Sequence, residues 1–305
     1  MKRTNEKQPN MLGEFLRCYP EEKSSGLAFS CAAFLPYILA FLFAVLGTIF
    51  GWFYDGCETD DWYLYVGYLL SQVSFAFVAV GFFLVSKTSV KTLVGNPKPL
   101  DFVLAIALQF GLLSLASVNS VFVMILEGLG LHAPIPQIPS LDGFGFVAVL
   151  FVVAVLPAIF EEVVFRGILL RGLKGFPVWA AALICGGIFS LFHRNPSQTV
   201  YQFLCGASFA LIVLRCGSIL PTVIAHFLNN AFIICAEKFA WQTDMLPILI
   251  LSAVCLVATL SYLIVGLAKK EKQPVDKSGR RFFFLCSSGG LVLCAMEWVS
   301  KLFGV

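Results

Sequence analysis

Charge is scarce in this chain. Only 13% of its 305 residues are Asp, Glu, Lys or Arg, against 59% hydrophobic, and the mean hydropathy is +0.87. So little polarity excludes a soluble domain of ordinary composition and reads as a polytopic membrane protein. The formal net charge of +3 carries no nucleic-acid footprint. Histidine is scarcer still, with three residues. Among ten cysteines there is no C-x-x-C pair, and Cys31, Cys185, Cys205, Cys235, Cys255, Cys286 and Cys294 lie in apolar runs. They read as small packing residues, not as a disulfide framework. No repeat of about 20–50 residues, no low-complexity segment and no soluble domain is present. The polar N-terminal stretch precedes an apolar run too long for a signal-peptide core, so no cleaved signal is expected.

What the chain does have is a series of apolar runs, at about 27–53, 62–86, 102–126, 144–170, 177–193, 199–214, 218–236 and 245–268. A ninth, 282–304, is interrupted by Ser287, Ser288, Gly289, Gly290, Glu297 and Lys301, and either spans or lies in the interface. The predicted fold is all-α, a polytopic membrane bundle of eight or nine transmembrane helices. Its units are a cytoplasmic tail (1–26), three N-terminal spans (27–143), a four-helix core (144–237) and C-terminal spans with a basic linker at 269–281 (238–305).

Loop charge predicts the orientation. DGCETDD, after the first run, carries four acids and no base, and GLGLHAPIPQIPSLDG has no lysine or arginine. Assigned alternately, one side collects five bases in the tail, Lys87, Lys91 and Lys98, Arg171 and Lys174, Arg215, and six between Lys269 and Arg281. That is seventeen against Arg194 and Lys238 on the other side, so the N-terminus is expected in the cytoplasm, with the plasma membrane as the site if the source is bacterial. The prolines of APIPQIPS extend it into a stiff outer connector, or a flap over an outer opening. Glycines 186, 187, 206 and 217 are expected to permit close helix packing.

Against this background a few polar residues stand out. VVAVLPAIFEEVVFRGILL, Val152 to Leu170, holds Glu161, Glu162 and Arg166 in a run long enough to span. Each ionised side chain costs about 2.5–3.5 kcal/mol there by insertion scales. Glu162 and Arg166 stand at i and i+4, glutamate first, the better order for an ion pair. Glu161 points about 100° away in a regular helix, which leaves its carboxylate free to face something else. It is the candidate catalyst.

Two other runs carry groups able to do chemistry. Phe189 and His193 share a helix face, as do His226 and Asn230, beside Asn229. Counted at about 1.5 Å per residue, Glu161 and His193 lie roughly 20–24 Å above the turn at Lys174 and Pro177, and His226 roughly 14 Å above Gly217, so the three can converge once helices tilt. Alone, each has a structural reading: the ion pair as interhelical glue, His193 as an interfacial residue, His226 with Asn230 as a hydrogen-bonded pair. His132, in the outer loop, is assigned no role. The combination on three spans points to a site.

At these residues the sequence resembles the CAAX-protease and bacteriocin-processing family of intramembrane endopeptidases, which includes type II CAAX prenyl endopeptidases and lysostaphin-resistance-like proteins. The family pattern E-E-x-x-x-R, F-x-x-x-H, H-x-x-x-N reads here as EEVVFR (Glu161 to Arg166), FSLFH (Phe189 to His193) and HFLNN (His226 to Asn230). The resemblance covers roughly 144–237. It implies hydrolysis of a peptide bond in a lipidated or other membrane-associated substrate: a CAAX-type prenylated protein, a bacteriocin or a leader peptide. Such chemistry requires a water, a base and donors to the oxyanion. Glu161 suits the base, with Arg166 neutralising Glu162; His193 suits the orientation of water, and His226 with Asn230 the oxyanion donors. The resemblance implies the same assignment. It leaves the metal open, because two histidines and a glutamate (Glu161, His193, His226) also form a catalytic zinc set. Two non-enzymatic readings stand beside it. One is a membrane immunity or scaffold protein of the same family; the other is a transporter, for which no inverted repeat is visible.

Overall fold

The structure is a computed structural model that describes residues 20–241, 245–268 and 277–304. The beginning of the tail and residues 269–276 of the basic linker lie outside the described residues. Among those described there is no strand, and the chain is an all-α polytopic bundle. Its long helices are α1 (Pro20–Phe50), α2 (Asp61–Ser86), α3 (Pro99–Gly128), α4 (Phe144–Gly172), α5 (Val178–Phe192), α6 (Thr199–Cys216), α7 (Leu220–Phe239), α8 (Leu246–Ala268) and α9 (Lys277–Leu302). Eight of them are long and apolar enough to cross a bilayer; α5, with 15 residues, is shorter.

Local chemistry explains several boundaries. α1 begins before its apolar run because Glu21 and Glu22 fall in its first turn, where acids suit the positive end of the helix dipole. α3 opens on Pro99, and the Asp101 carboxylate accepts the Lys98 N–H at 2.8 Å. α6 stops at Gly217, whose φ of 71° is the left-handed conformation glycine adopts most easily.

Contacts sort the loops to two ends. At the base-rich end, Lys174 pairs with Glu21 at 2.5 Å, Arg171 bonds Thr92, and Ile219 N–H donates to Leu93 O at 3.0 Å. At the other end, Lys238 pairs with Asp142 at 3.1 Å and Ser140 N–H reaches Asp61 at 2.7 Å. Here too His132 N–H meets Leu302 O at 2.8 Å, so α9, one of the eight long apolar helices among the described residues, runs from one end of the bundle to the other along α1. Lys301 therefore joins Arg194 and Lys238 at the base-poor end.

Packing follows composition. Large apolar side chains such as Phe41, Phe77, Leu84, Val254 and Met296 are exposed around the exterior, as lipid-facing residues should be, while Phe29, Phe75, Phe165, Phe189 and Phe209 are buried. Phe165 meets Phe189 and Phe192 edge to face, with centroids 5.0 and 5.3 Å apart. α5 and α6 cross at Gly186 and Gly206: a Cβ added at Gly186 would lie 2.6 Å from Ala207 N, and one at Gly206 2.8 Å from Gly186 Cα. Only two of the four glycines expected to serve packing do so there. Gly187 faces open space, and Gly217 serves the turn.

One departure bears on the site. α4 is not a regular α-helix: Leu150–Val155 and Glu162–Leu169 are π-helical, with an α-helical turn, Leu156–Glu161, between them. Pro157 accounts for the first stretch. It has no N–H to return to the carbonyl of Val153, four residues earlier, and the backbone there widens instead. The rotation of about 100° per residue expected through 152–170 therefore fails on both sides of Glu161.

Candidate active site

The ion pair predicted on α4 forms at its centre. Arg166 Nη1 lies 2.7 Å from Glu162 Oε1, with neither side chain exposed. The guanidinium also donates to Gly206 O at 3.4 Å and lies over the rings of Phe189 (4.3 Å) and Phe209 (5.4 Å), so α5 and α6 both hold it. The glycine at 206 does two things: it lets α6 approach α5, and it leaves its carbonyl within reach of Arg166.

His226 on α7 reaches both glutamates. Its Nδ1 lies 3.0 Å from Glu162 Oε1 and its Nε2 lies 3.9 Å from Glu161 Oε2. A carboxylate paired with arginine only accepts, so Nδ1 carries the proton donated to Glu162. In the neutral ring Nε2, beside Glu161, is then the acceptor nitrogen. Glu162 is thus held by one cation and one imidazole N–H, while Glu161 keeps its charge to itself. Its Oε2 is buried without a hydrogen-bond partner, as is Glu162 Oε2, although the Glu161 side chain as a whole is 13% exposed; what sets Glu161 apart is that no cation pairs with it.

His193, half-buried at the end of α5, is fixed by the same logic. Its Nδ1 lies 2.9 Å from Phe189 O, a pure acceptor, and its ring stacks edge to face on Phe189 at 4.7 Å. Its Nε2 is left free, and the Glu161 carboxylate stands near enough to act on it electrostatically. Asn230 is turned another way. Its Nδ2 donates to Val153 O at 3.0 Å, on the carbonyl that Pro157 leaves without an α-helical donor, and its Oδ1 accepts from Asn229 at 3.0 Å.

The structure thus brings Glu161, Glu162, Arg166 and His226 into direct contact or near-contact, leaves His193 within electrostatic reach of Glu161 but held by Phe189, and holds Asn230 one turn along α7 against the backbone of α4. Among the described residues, no group of three or more His, Cys, Asp or Glu side chains stands together as a metal-binding set. Two residues that sequence reasoning passed over join the network: Gln109 Nε2 (2.5 Å) and Tyr201 OH (2.9 Å) both bond Asn229 Oδ1. An amide in the apolar run 102–126, which holds only two, Gln109 and Asn119, was the signal for Gln109. Tyr201 offers none, since membrane helices place tyrosine near their ends for other reasons.

Residues 143–232 match the family model described as type II CAAX prenyl endopeptidase Rce1-like. The matched segment runs from the start of α4 through most of α7 and contains Glu161, Glu162, Arg166, His193, His226 and Asn230. No curated protein and no solved structure matches the chain.

Proposed function

We propose that this core, matched to an intramembrane endopeptidase family, hydrolyses a peptide bond of a membrane-associated substrate, with Glu161 as the base. The observation that carries the reading is the buried, unpartnered Oε2 of Glu161, 3.9 Å from His226 Nε2, beside a second carboxylate already neutralised by Arg166. A carboxylate with no cation paired to it is placed to act as the base on a bound water.

The proposed step starts from a water held between Glu161 and the free Nε2 of His193. Glu161 takes one proton, the hydroxide oxygen bonds the scissile carbonyl carbon, and the carbonyl π electrons move to its oxygen. The oxyanion is met by donors on α7: the second N–H of Asn230, and His226 Nε2 while it shares the proton that Glu161 has taken. Collapse breaks the C–N bond, and the proton on Glu161 passes to the departing amine. The step needs no group beyond these side chains and water. The substrate class proposed is a CAAX-type prenylated protein, a bacteriocin or a leader peptide, and the base-rich end is proposed to face the cytoplasm.

The test is cleavage in lipid nanodiscs of a prenylated and an unprenylated membrane peptide by wild type, Glu161→Ala and His226→Ala, each with and without a strong chelator. The proposal expects cleavage by wild type, loss in both variants and no effect of chelation. Unchanged cleavage by Glu161→Ala removes it as the base. Chelator-sensitive cleavage restores the metal-dependent alternative, and an inert wild type favours a non-catalytic membrane partner.

A further inference from the structure

The amides beside His226 form a one-way chain that begins at a carbonyl. Val153 O can only accept, so the group facing it at 3.0 Å must be the nitrogen of Asn230. That turns Asn230 Oδ1 to Asn229, which must answer with its own nitrogen at 3.0 Å. Asn229 Oδ1 is left facing the other way, where it needs donors, and receives two: Gln109 Nε2 at 2.5 Å and Tyr201 OH at 2.9 Å. The second N–H of Gln109 goes to the Tyr201 oxygen at 3.3 Å, and Gln109 Oε1 is left buried without a partner. Turning any one amide over would set oxygen against oxygen somewhere along the line. Four helices take part, α4, α7, α3 and α6, and both Gln109 and Asn229 are buried.

We infer that Gln109, on α3 and outside the family-matched segment, is a positioning residue for the reaction, acting through Asn229 to keep the amide nitrogen of Asn230 rather than its oxygen toward α4. The inference rests on the hydrolase reading above. With the nitrogen so held, one N–H is spent on Val153 O and the other stays available one turn from His226; with the amide reversed, an acceptor would stand there and repel an oxyanion. Tyr201 supplies the second donor, so loss of Gln109 weakens the orientation without erasing it. The titratable groups on the chain's far side are Tyr201 and Cys205 next to it.

Two variants separate positioning from packing. Gln109→Leu removes the donor and keeps the bulk. Gln109→Glu keeps the shape but offers only acceptors when ionised, and offers an O–H donor when protonated. In nanodiscs, with the cleaved peptide as substrate, Gln109→Leu should lower kcat about tenfold with KM within about twofold, at every pH. Gln109→Glu should be poorer than Gln109→Leu near about pH 8 and should overtake it by about pH 5.5, each rate taken relative to wild type, as the new carboxyl protonates. The thermal midpoint of Gln109→Glu should rise toward wild type over the same interval. Two variants that behave alike at every pH, or that change KM alone, overturn the inference. Glu161→Gln in the same assay keeps the two claims apart: if it retains the wild-type rate, the base assignment fails while the Gln109 contrast is still read. A wild type that cleaves nothing overturns both.

Discussion

Removing Arg166 should expose how the buried charges on α4 are balanced. In Arg166→Met, the Glu162 carboxylate, with no exposure and an ion pair of 2.7 Å in the native protein, loses its cation and keeps the His226 Nδ1–H at 3.0 Å. Stranding one member of a buried pair costs about 3–5 kcal/mol. The lost stacking on Phe189 and Phe209 is part of that cost, at about 2 kcal/mol for a desolvated cation over a ring. Arg166→Lys should recover little, because one ammonium cannot bond Glu162, reach Gly206 O and lie flat on two rings together. The decisive comparison is the double variant Glu162→Gln/Arg166→Met. With no charge left to strand, it should be more stable than Arg166→Met alone, giving a coupling of about 2 kcal/mol or more. Unfolding by SDS in mixed micelles measures all four corners of the cycle. Strictly additive effects, or an Arg166→Met variant within about 1 kcal/mol of wild type, would refute the reasoning.

Two further outcomes follow from the packing. Gly186→Val should cost about 3 kcal/mol or prevent accumulation, because its Cβ would lie 2.6 Å from Ala207 N, whereas Gly187→Ala, facing open space, should stay within about 1 kcal/mol in the same SDS titration. The outer connector is tied to the start of α6 by Asn195 Nδ2 (2.9 Å) and Ser197 OH (2.8 Å), both on Pro134 O. Asn195→Ala/Ser197→Ala should therefore speed proteolysis within residues 131–141 severalfold, and an unchanged digestion rate would show that other contacts hold the segment.

Apolar length made the helices legible, since a run that must cross lipid announces itself by composition alone. The ninth run is ambiguous because Ser287, Ser288, Gly289, Gly290, Glu297 and Lys301 interrupt it; a Cβ at Gly290 would sit 2.9 Å from Ser30 Cα, so that glycine serves contact with α1 while lowering the hydropathy of the run. The polar set was legible for the opposite reason, as ionisable groups inside apolar runs call for partners. Three features were not. The π-helical stretches depend on how one carbonyl is re-paired after Pro157, which no periodicity shows. The contact of His226 with Glu162 requires the register between two helices far apart in sequence. Gln109 and Tyr201 take part through an orientation chain that only coordinates reveal.

The central claim is that Glu161 activates the water. Its most direct test is the single-turnover rate of peptide cleavage by Glu161→Gln, which keeps the shape and removes the base, with the SDS midpoint measured beside it. The account predicts a rate lower by about a hundredfold or more at unchanged stability. A Glu161→Gln protein that folds as wild type and cleaves at the wild-type rate would contradict it.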